Sequence, residues 1–517
     1  MPTKKISSET GNGALDLALD TINIGKQALV FVNTKKSAEK TAEDIAHKIK
    51  VNSKELEELG KEILKALSRP TKQCERLAKC IKKRIAFHHA GLVAKQRELI
   101  EDNFRNGNIK IICSTPTLAF GLDLPAFRSI LKDLKRYSSH GLNYIPVLEY
   151  LQMSGRAGRP KFDSFGETIC IAATENDKEK LYERYILGQP EDIYSKLAVE
   201  PVLRTYLLSL IAANFVGTKK QIMDFFGRTF WAFQFVDMHK LITTIEKMLE
   251  LLEEWEFIER YNKKDFLDAN KIDDEKVKAT LIGKRVAELY IDPLTAYFFI
   301  NCLRNASDKN VNEFSFLQMI SHTLEIKPLL RVGVKDEENI QEFLLKFNDF
   351  LLEEEPSLYD FEYEDFVNSI KTALMMHEWI DEKDEEYLLE RFNIRPGELR
   401  VKLDIADWLL YSSEELSRML HYQNLNKEII KLRLRLRYGV KEELLALIRL
   451  QDIGRVRARK LYSNKIKDIK DIKNADIMVL SQILGKQVAL SVKKQVGQEI
   501  IPIKEGKRKG QISLEDY

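Results

Sequence analysis

Two arginines three apart stand among small residues in Gln152-Met153-Ser154-Gly155-Arg156-Ala157-Gly158-Arg159-Pro160. On a helical turn that spacing puts both guanidiniums on one face. Gly155, Ala157 and Gly158 leave room for a ligand to approach the backbone, and Pro160 ends the element. Paired, accessible guanidiniums suit bidentate capture of phosphate oxygens and stabilisation of the charge that develops in phosphoryl transfer. The plain alternative is two surface arginines on a glycine-rich turn.

The rest of the chain must hold such a clamp in place. Its 517 residues are too many for one core and imply about three to five domains. With 44% hydrophobic and 31% charged residues it reads as soluble and globular, and a net charge of only +3 confines any nucleic-acid surface to a local patch. Five scattered cysteines, Cys74, Cys80, Cys113, Cys170 and Cys302, lack paired spacing, so reduced thiols and no structural metal are expected. No signal peptide or run of about 18 apolar residues occurs, which reads as cytoplasmic with no membrane partner.

Gln27–Asn33 is an apolar, β-branched run followed by a polar turn and a helical pattern over 38–49. After a helical insertion over 54–83, Ile85–Gly91 repeats the strand-turn pattern, and Lys110–Ser114 and residues 166–173 repeat the strand. Strands alternating with helices predict a doubly wound parallel sheet with ligands at its carboxyl ends. Asn33–Lys36, His88–Gly91 and Thr115–Thr117 all follow strands.

Val30–Thr34, Phe87–Leu92, Ser114–Ala126 and Gln152–Pro160 resemble helicase motifs IV, IVa, V and VI in order and spacing. Together they resemble the second RecA-like domain of superfamily 2 helicases, and within these the Ski-like, archaeal Hjm-type DNA repair helicases. The resemblance implies that Arg156 and Arg159 are arginine fingers facing a nucleotide γ-phosphate. Gln152 lies beside them, and Gly121 and Asp123 near the nucleotide. It turns Asn33, Thr34, His89, Thr115 and Thr117 towards a nucleic-acid backbone. Hydroxyls, amides and backbone N–H groups agree with that role, because they position phosphates without reading sequence. For His88 and His89 structural hydrogen bonding at a strand end is the alternative, and neither has a metal partner nearby in sequence.

Ser129–Pro146 reads as a β-hairpin, two strand-like runs around a Ser/Gly turn. In the family a hairpin here is a wedge at the duplex junction, with Tyr137 or Tyr144 available to stack on an unpaired base. No Gly-x-x-x-x-Gly-Lys-Ser/Thr and no Asp-Glu-x-His or Asp-Glu-Ala-Asp occurs in the sequence. The cradle for ATP and its Mg²⁺ is therefore expected from a first RecA-like domain encoded elsewhere, the chain being a split-gene subunit, a truncated product or a cut piece.

Beyond about residue 175 the pattern is nearly all helical. Helices over 201–215, 218–226 and 238–255, with short strands at Phe257–Arg260 and Lys278–Leu281, suggest a winged helix. The run Glu353–Asp365 holds seven acids and no base and reads as a solvated face. Arg400–Leu420 is amphipathic and resembles the family's ratchet helix, with Arg400 contacting phosphate and Trp408 stacking on bases. Residues 427–473 carry fifteen Lys/Arg against six Asp/Glu, an excess of nine. Within them a helix over Leu444–Leu450, a turn at Gly454 and a helix over Arg457–Tyr462 resemble a helix-hairpin-helix. Gly454 there lets N–H groups approach a phosphate, and Arg455, Arg457 and Arg459 add charge. In the tail, Gln511, Leu514 and Tyr517 look like a box for a sliding clamp.

The expected architecture is an α/β RecA-like domain followed by mostly α domains. It comprises a linker over 1–25, the second RecA-like domain over 26–178, a winged helix over 179–291, a helical ratchet bundle over 292–426, a helix-hairpin-helix over 427–503 and a tail over 504–517. The expected function is an ATP-dependent DNA helicase acting on single strands and forks in repair, with 3′→5′ polarity. A Ski-like RNA helicase and a non-catalytic nucleic-acid-binding remnant are the alternatives.

Overall fold

A computed structural model describes residues 10–50, 54–120, 124–138, 141–159, 163–234, 238–261 and 275–497. The chain forms two units: Met1–Tyr297 with Asp384–Ile405, and Phe298–Lys383 with Ala406–Tyr517.

The first unit is built on a sheet. Its strands are β1 (Ala28–Phe31), β2 (Ile85–His88), β3 (Ile111–Ser114), β4 (Arg128–Leu131) and, beyond a hairpin of β5 (Lys135–Ser138) and β6 (Gly141–Tyr144), β7 (Glu167–Cys170). The order is β2-β3-β1-β4-β7, and every neighbouring pair is parallel. Strands β1 to β4 are buried at all four positions, which is why β1, β2 and β3 read as near-continuous apolar runs rather than alternating ones. The expected hairpin over 129–146 is corrected. Ser129–Leu131 belongs to β4, whose side chains are sealed on both faces, and only the more polar Lys135–Ser138 and Gly141–Tyr144 pair as a hairpin. Arg128 opens β4 fully buried. It bonds Glu167 through Nε at 2.7 Å and Asp20, Thr21 and the Leu17 carbonyl through Nη1, so two carboxylates face its charge.

Helices α1 (Gly13–Asn23), α2 (Lys35–Lys48), α3 (Lys54–Lys65), α4 (Lys72–Ile81), α5 (Ala94–Arg105) and α6 (Val147–Ser154) flank this sheet. Asn12, Thr34 and Thr71 cap α1, α2 and α4 through their side chains.

The next part of the unit carries α7 (Glu200–Ala212), α8 (Lys219–Phe226), α9 (Met238–Glu254), an antiparallel pair β8 (Ile258–Tyr261) and β9 (Lys276–Ala279), and α10 (Leu281–Leu289). Thr218 caps α8 by accepting from Gln221 N at 3.2 Å. Gln221 Oε1 takes the Gly217 N–H at 2.8 Å rather than that of the cap residue. Arg204 and Asp292, both buried, form a two-bond pair at 2.6 and 2.8 Å.

The second unit holds α11 (Glu313–Ser321) and α12 (Tyr363–Ile380), packed together. Helix α13 (Glu385–Phe392) belongs to the first unit, and α14 (Pro396–Met419) begins there. Then come α15 (Gln423–Tyr438), α16 (Arg455–Ser463), α17 (Ile469–Asn474), α18 (Ile477–Leu484) and α19 (Lys486–Gln495). The expected helix over 444–450 is corrected. Glu442–Leu444 is a 3₁₀ turn and the chain then continues in turns, held by i→i+3 bonds such as Leu447 N to Leu444 O while Leu444, Leu447 and Leu450 all turn inward. The acidic run is mostly exposed; of its half-buried acids, Glu353 takes His322 Nδ1 at 2.8 Å and Asp365 takes Lys327 Nζ at 2.6 Å. No helix among the described residues is long and apolar enough to cross a membrane.

Candidate nucleic-acid interface

The sheet register brings three separated motifs to one level. Ser114 pairs with Phe31 on one side and with His88 on the other, so β1, β2 and β3 end together. The segments that follow them line a cleft of about 680 Å³. Asn33, Thr34, Lys35 and Lys36 come from the first strand's exit, Ala90 from the second and Thr115, Pro116, Thr117 and Phe120 from the third. Arg136, Glu149 and Arg395 complete the wall.

Several polar groups in the cleft are held by neighbours. Asn33 donates from Nδ2 to the Lys135 carbonyl, tying the β1 exit to the hairpin. Thr34 Oγ1 accepts from Ser37 N at 3.1 Å, and Thr115 Oγ1 and Thr117 Oγ1 lie 2.9 Å apart. Arg136 meets both carboxylate oxygens of Glu149 at 3.2 and 3.1 Å. The expectation that His89 faces a strand is corrected. Its side chain is fully buried and backs the loop, with Nδ1 accepting from Gly91 N at 3.2 Å. His89 Nε2 lies 3.2 Å from Glu39 Oε1 without the alignment of a hydrogen bond. Burial pushes the imidazole below its ordinary pKa. His88 bonds Glu101 at 2.9 Å behind the cleft.

Arg395 reaches the cleft from far along the sequence. Gly397 N donates to Gly91 O at 3.0 Å, and a Cβ on Gly397 would stand 2.3 Å from the Leu92 carbonyl oxygen, so only glycine permits this approach. Arg395 Nε donates to Glu39 Oε1 at 3.1 Å, and Glu39 also takes Gln73 at 2.8 Å and Arg76 at 2.7 Å. Burial alone would raise the Glu39 carboxyl. His89, Gln73 and Arg395 outweigh it and hold the pKa down at about 2. Lys35 pairs with Glu398, and its pKa is lowered by burial and by the Arg395 charge. Sequence reading missed Arg395 and Arg136, since nothing local marks either as part of this wall.

The two motif arginines sit differently from the helical expectation, which is corrected. Helix α6 ends at Ser154. Ala157 then bridges to Ala126 and Gly158 turns at φ +97°, so the arginines lie on an irregular segment. Arg156 spends Nε and Nη2 on the Ala119 carbonyl. Arg159 bonds Asp163 from Nε at 2.6 Å and Gln27 from Nη1 at 2.7 Å. Among the described residues, Gln152 keeps a buried Oε1 with no partner.

Residues 56–161 match the helicase conserved C-terminal domain, and 314–439 match domain 4 of archaeal helicases. The ATP-dependent DNA helicase Hel308 of Methanococcus vannielii is 37% identical over 96% of this chain and 69% of the relative. Those of Pyrococcus horikoshii and Pyrococcus abyssi are each 39% identical, over 95% and 97% of this chain and 67% and 68% of the relative. The chain belongs to the Hel308 family.

Other residues singled out for a Hel308-type role fall outside the cleft. Tyr137 projects from the hairpin, 81% exposed, opposite Leu142. Tyr144 is held at the hairpin's base between Lys135 Nζ and Arg184, at 4.7 and 5.3 Å from its ring centre, so it is committed to the fold. On α14, Arg400 lies 3.6 Å from Glu385, and Trp408 is half-buried. Gly454 precedes α16 in extended conformation. The left-handed residue of that turn is Asp452, at φ +67°, not the glycine. Arg457 donates to the Asp452 carbonyl at 2.7 Å, Arg459 pairs with Glu382 and Glu443, and Arg455 lies 4.8 Å over the Trp379 ring. Gly121, Asp123, Gln511, Leu514 and Tyr517 lie outside the described residues.

Proposed function

We propose that this chain supplies the strand-binding path and the arginine-bearing face of an ATP-dependent DNA helicase. The observation that carries the reading is the convergence of Asn33, Thr34, Thr115 and Thr117 on one cleft bordered by Lys35, Lys36, Arg136 and Arg395. Such a wall offers donors to phosphates and few acceptors to bases, which suits binding along a strand irrespective of sequence. Single-stranded DNA fits it as ligand, and the curated relatives act on DNA.

ATP with Mg²⁺, when bound, supplies the phosphoryl bond whose cleavage drives movement. Among the described residues, the orphaned Gln152 Oε1 and the uncommitted Nη1 edge of Arg156 are this chain's groups fitted to that nucleotide. Arg159 joins them only on leaving Asp163. The sequence spells no phosphate cradle, so the nucleotide's main site belongs to another domain or polypeptide. We read 179–291 as a winged helix, 292–426 as the ratchet bundle and 427–503 as a helix-hairpin-helix. The short β8–β9 pair and the charge of 427–473 support these assignments.

The test is direct. The purified chain binds a labelled oligonucleotide with a steep salt dependence, and Asn33→Ala combined with Thr115→Val weakens it about tenfold or more. ATP hydrolysis is absent until a domain carrying the phosphate cradle is added. DNA-stimulated hydrolysis by the chain alone, or binding indifferent to the double substitution, contradicts the proposal.

A further inference from the structure

Arg395 has an unbalanced environment. Its side chain is nine-tenths buried, with a relative exposure of 10%, yet it borders the cleft. Nε is committed to Glu39. Nη1 stands 4.0 Å from Glu398 Oε2, too far to bond, and among the described residues neither Nη1 nor Nη2 has a hydrogen-bond partner. Glu398 is itself engaged by Lys35 Nζ and by the Arg395 backbone N–H at 3.0 Å. Half of the guanidinium is therefore neutralised and immobilised, and the other half opens on the cleft without an acceptor among the described residues. Such an edge presents two parallel donors to an anion in the cleft.

The neighbours favour the same ligand. Lys35 and Lys36 and the hydroxyls of Thr115 and Thr117 share the cleft with this edge. Among the described residues the one carboxylate on the wall, Glu149, is already paired with Arg136. We infer that Arg395 grips one backbone phosphate of the strand in the cleft, through Nη1 and Nη2, while Nε stays on Glu39. A planar fork matches a phosphate's two oxygens, and its anchor costs no reordering when the strand arrives. The inference rests on the reading of this cleft as the strand path. It adds a cation supplied by the residue just before α14, so one side chain holds both the strand and the start of that helix.

The full chain, a labelled oligothymidylate and a salt titration test this. R395A weakens binding about tenfold near 0.15 M salt and lowers the log–log salt slope by about 0.7, the contribution of one phosphate on a single strand. R395K also weakens binding several-fold, because a single ammonium cannot serve Glu39 and a phosphate together. Should R395A fail to fold, as judged by its melting curve, R395K decides. Wild-type affinity in R395K, alongside weakened binding in a Thr115→Val/Thr117→Val variant, overturns the inference and leaves the cleft reading standing. So does a loss in R395A with no change in salt slope. Wild-type affinity in R395K and the threonine variant alike overturns both.

Discussion

Arg159 closes on Asp163 with two bonds, at 2.6 and 3.1 Å, and the carboxylate it holds is sealed from solvent. Lys26 reaches the same carboxylate at 2.6 Å. The arginine whose sequence position suggests a free finger is thus latched within its own domain. Its hydrogen bond, against the opposing effect of burial and with help from Lys26, holds the Asp163 carboxyl below its ordinary pKa. A depressed carboxyl stabilises the fold above its unfolded pKa of about 4 and loses that contribution as pH falls below it. Asp163→Ala should cost about 3 kcal/mol at pH 7, the low end for breaking a largely buried pair. The deficit should shrink towards pH 4 in urea denaturation, and an equal deficit at both pH values would show that the charge is irrelevant.

The buried group behind the cleft should make the first unit acid-sensitive. His89 has a folded pKa depressed by burial, so the unfolded chain takes up the proton first as pH drops through about 6.5 and stability declines from there. Glu39, at about 2 when folded, adds a second loss below about pH 4. Melting temperatures should therefore fall between pH 7 and 5.5 and fall further near pH 4. His89→Asn should flatten the upper limb and Glu39→Gln the lower one.

Two glycines should answer differently to alanine. At Gly397 a Cβ would meet the Leu92 and Ala90 carbonyl oxygens at 2.3 and 2.4 Å, so the backbone must yield. A loss of about 2 kcal/mol or more is expected on denaturation. At Gly454 a Cβ meets nothing within 4 Å, and φ is −92°. Gly454→Ala should leave stability unchanged within about 0.5 kcal/mol. A drop in DNA affinity in that variant would mark the turn as a place where a strand approaches the backbone.

Tyr137 is the hairpin's exposed aromatic, whereas Tyr144 is part of its support. Tyr137→Ala should leave the melting temperature unchanged and reduce preference for a forked over a plain single strand about fivefold, the low end of one base–aromatic stack. Tyr144→Ala should lower the melting temperature instead. Competition binding with the two DNAs distinguishes these outcomes from an ordinary surface hairpin, for which neither preference would move.

Local pattern was enough for the sheet and for the motifs at its carboxyl ends. Strands buried on both faces read as near-continuous apolar runs, and the polar residues from Asn33, His88 and Ser114 onward mark where β1, β2 and β3 stop. That reading extended to the four helicase motifs and the family, because their order is written along the chain. It failed where two local solutions compete. Ser129–Leu131 suits a hairpin as well as a sheet strand, and burial on both faces decided for the sheet. It failed again at Arg156 and Arg159, where an end to α6 and a left-handed Gly158 replaced the helical turn. Tertiary structure alone decided what the charges do. Asp163 latches Arg159, Glu382 and Glu443 occupy Arg459, and Gly397 brings Arg395 to Glu39 across more than three hundred residues. Periodicity reports which face is buried. It cannot report which distant charge arrives at that face, because that depends on close approaches between segments that share no local signal.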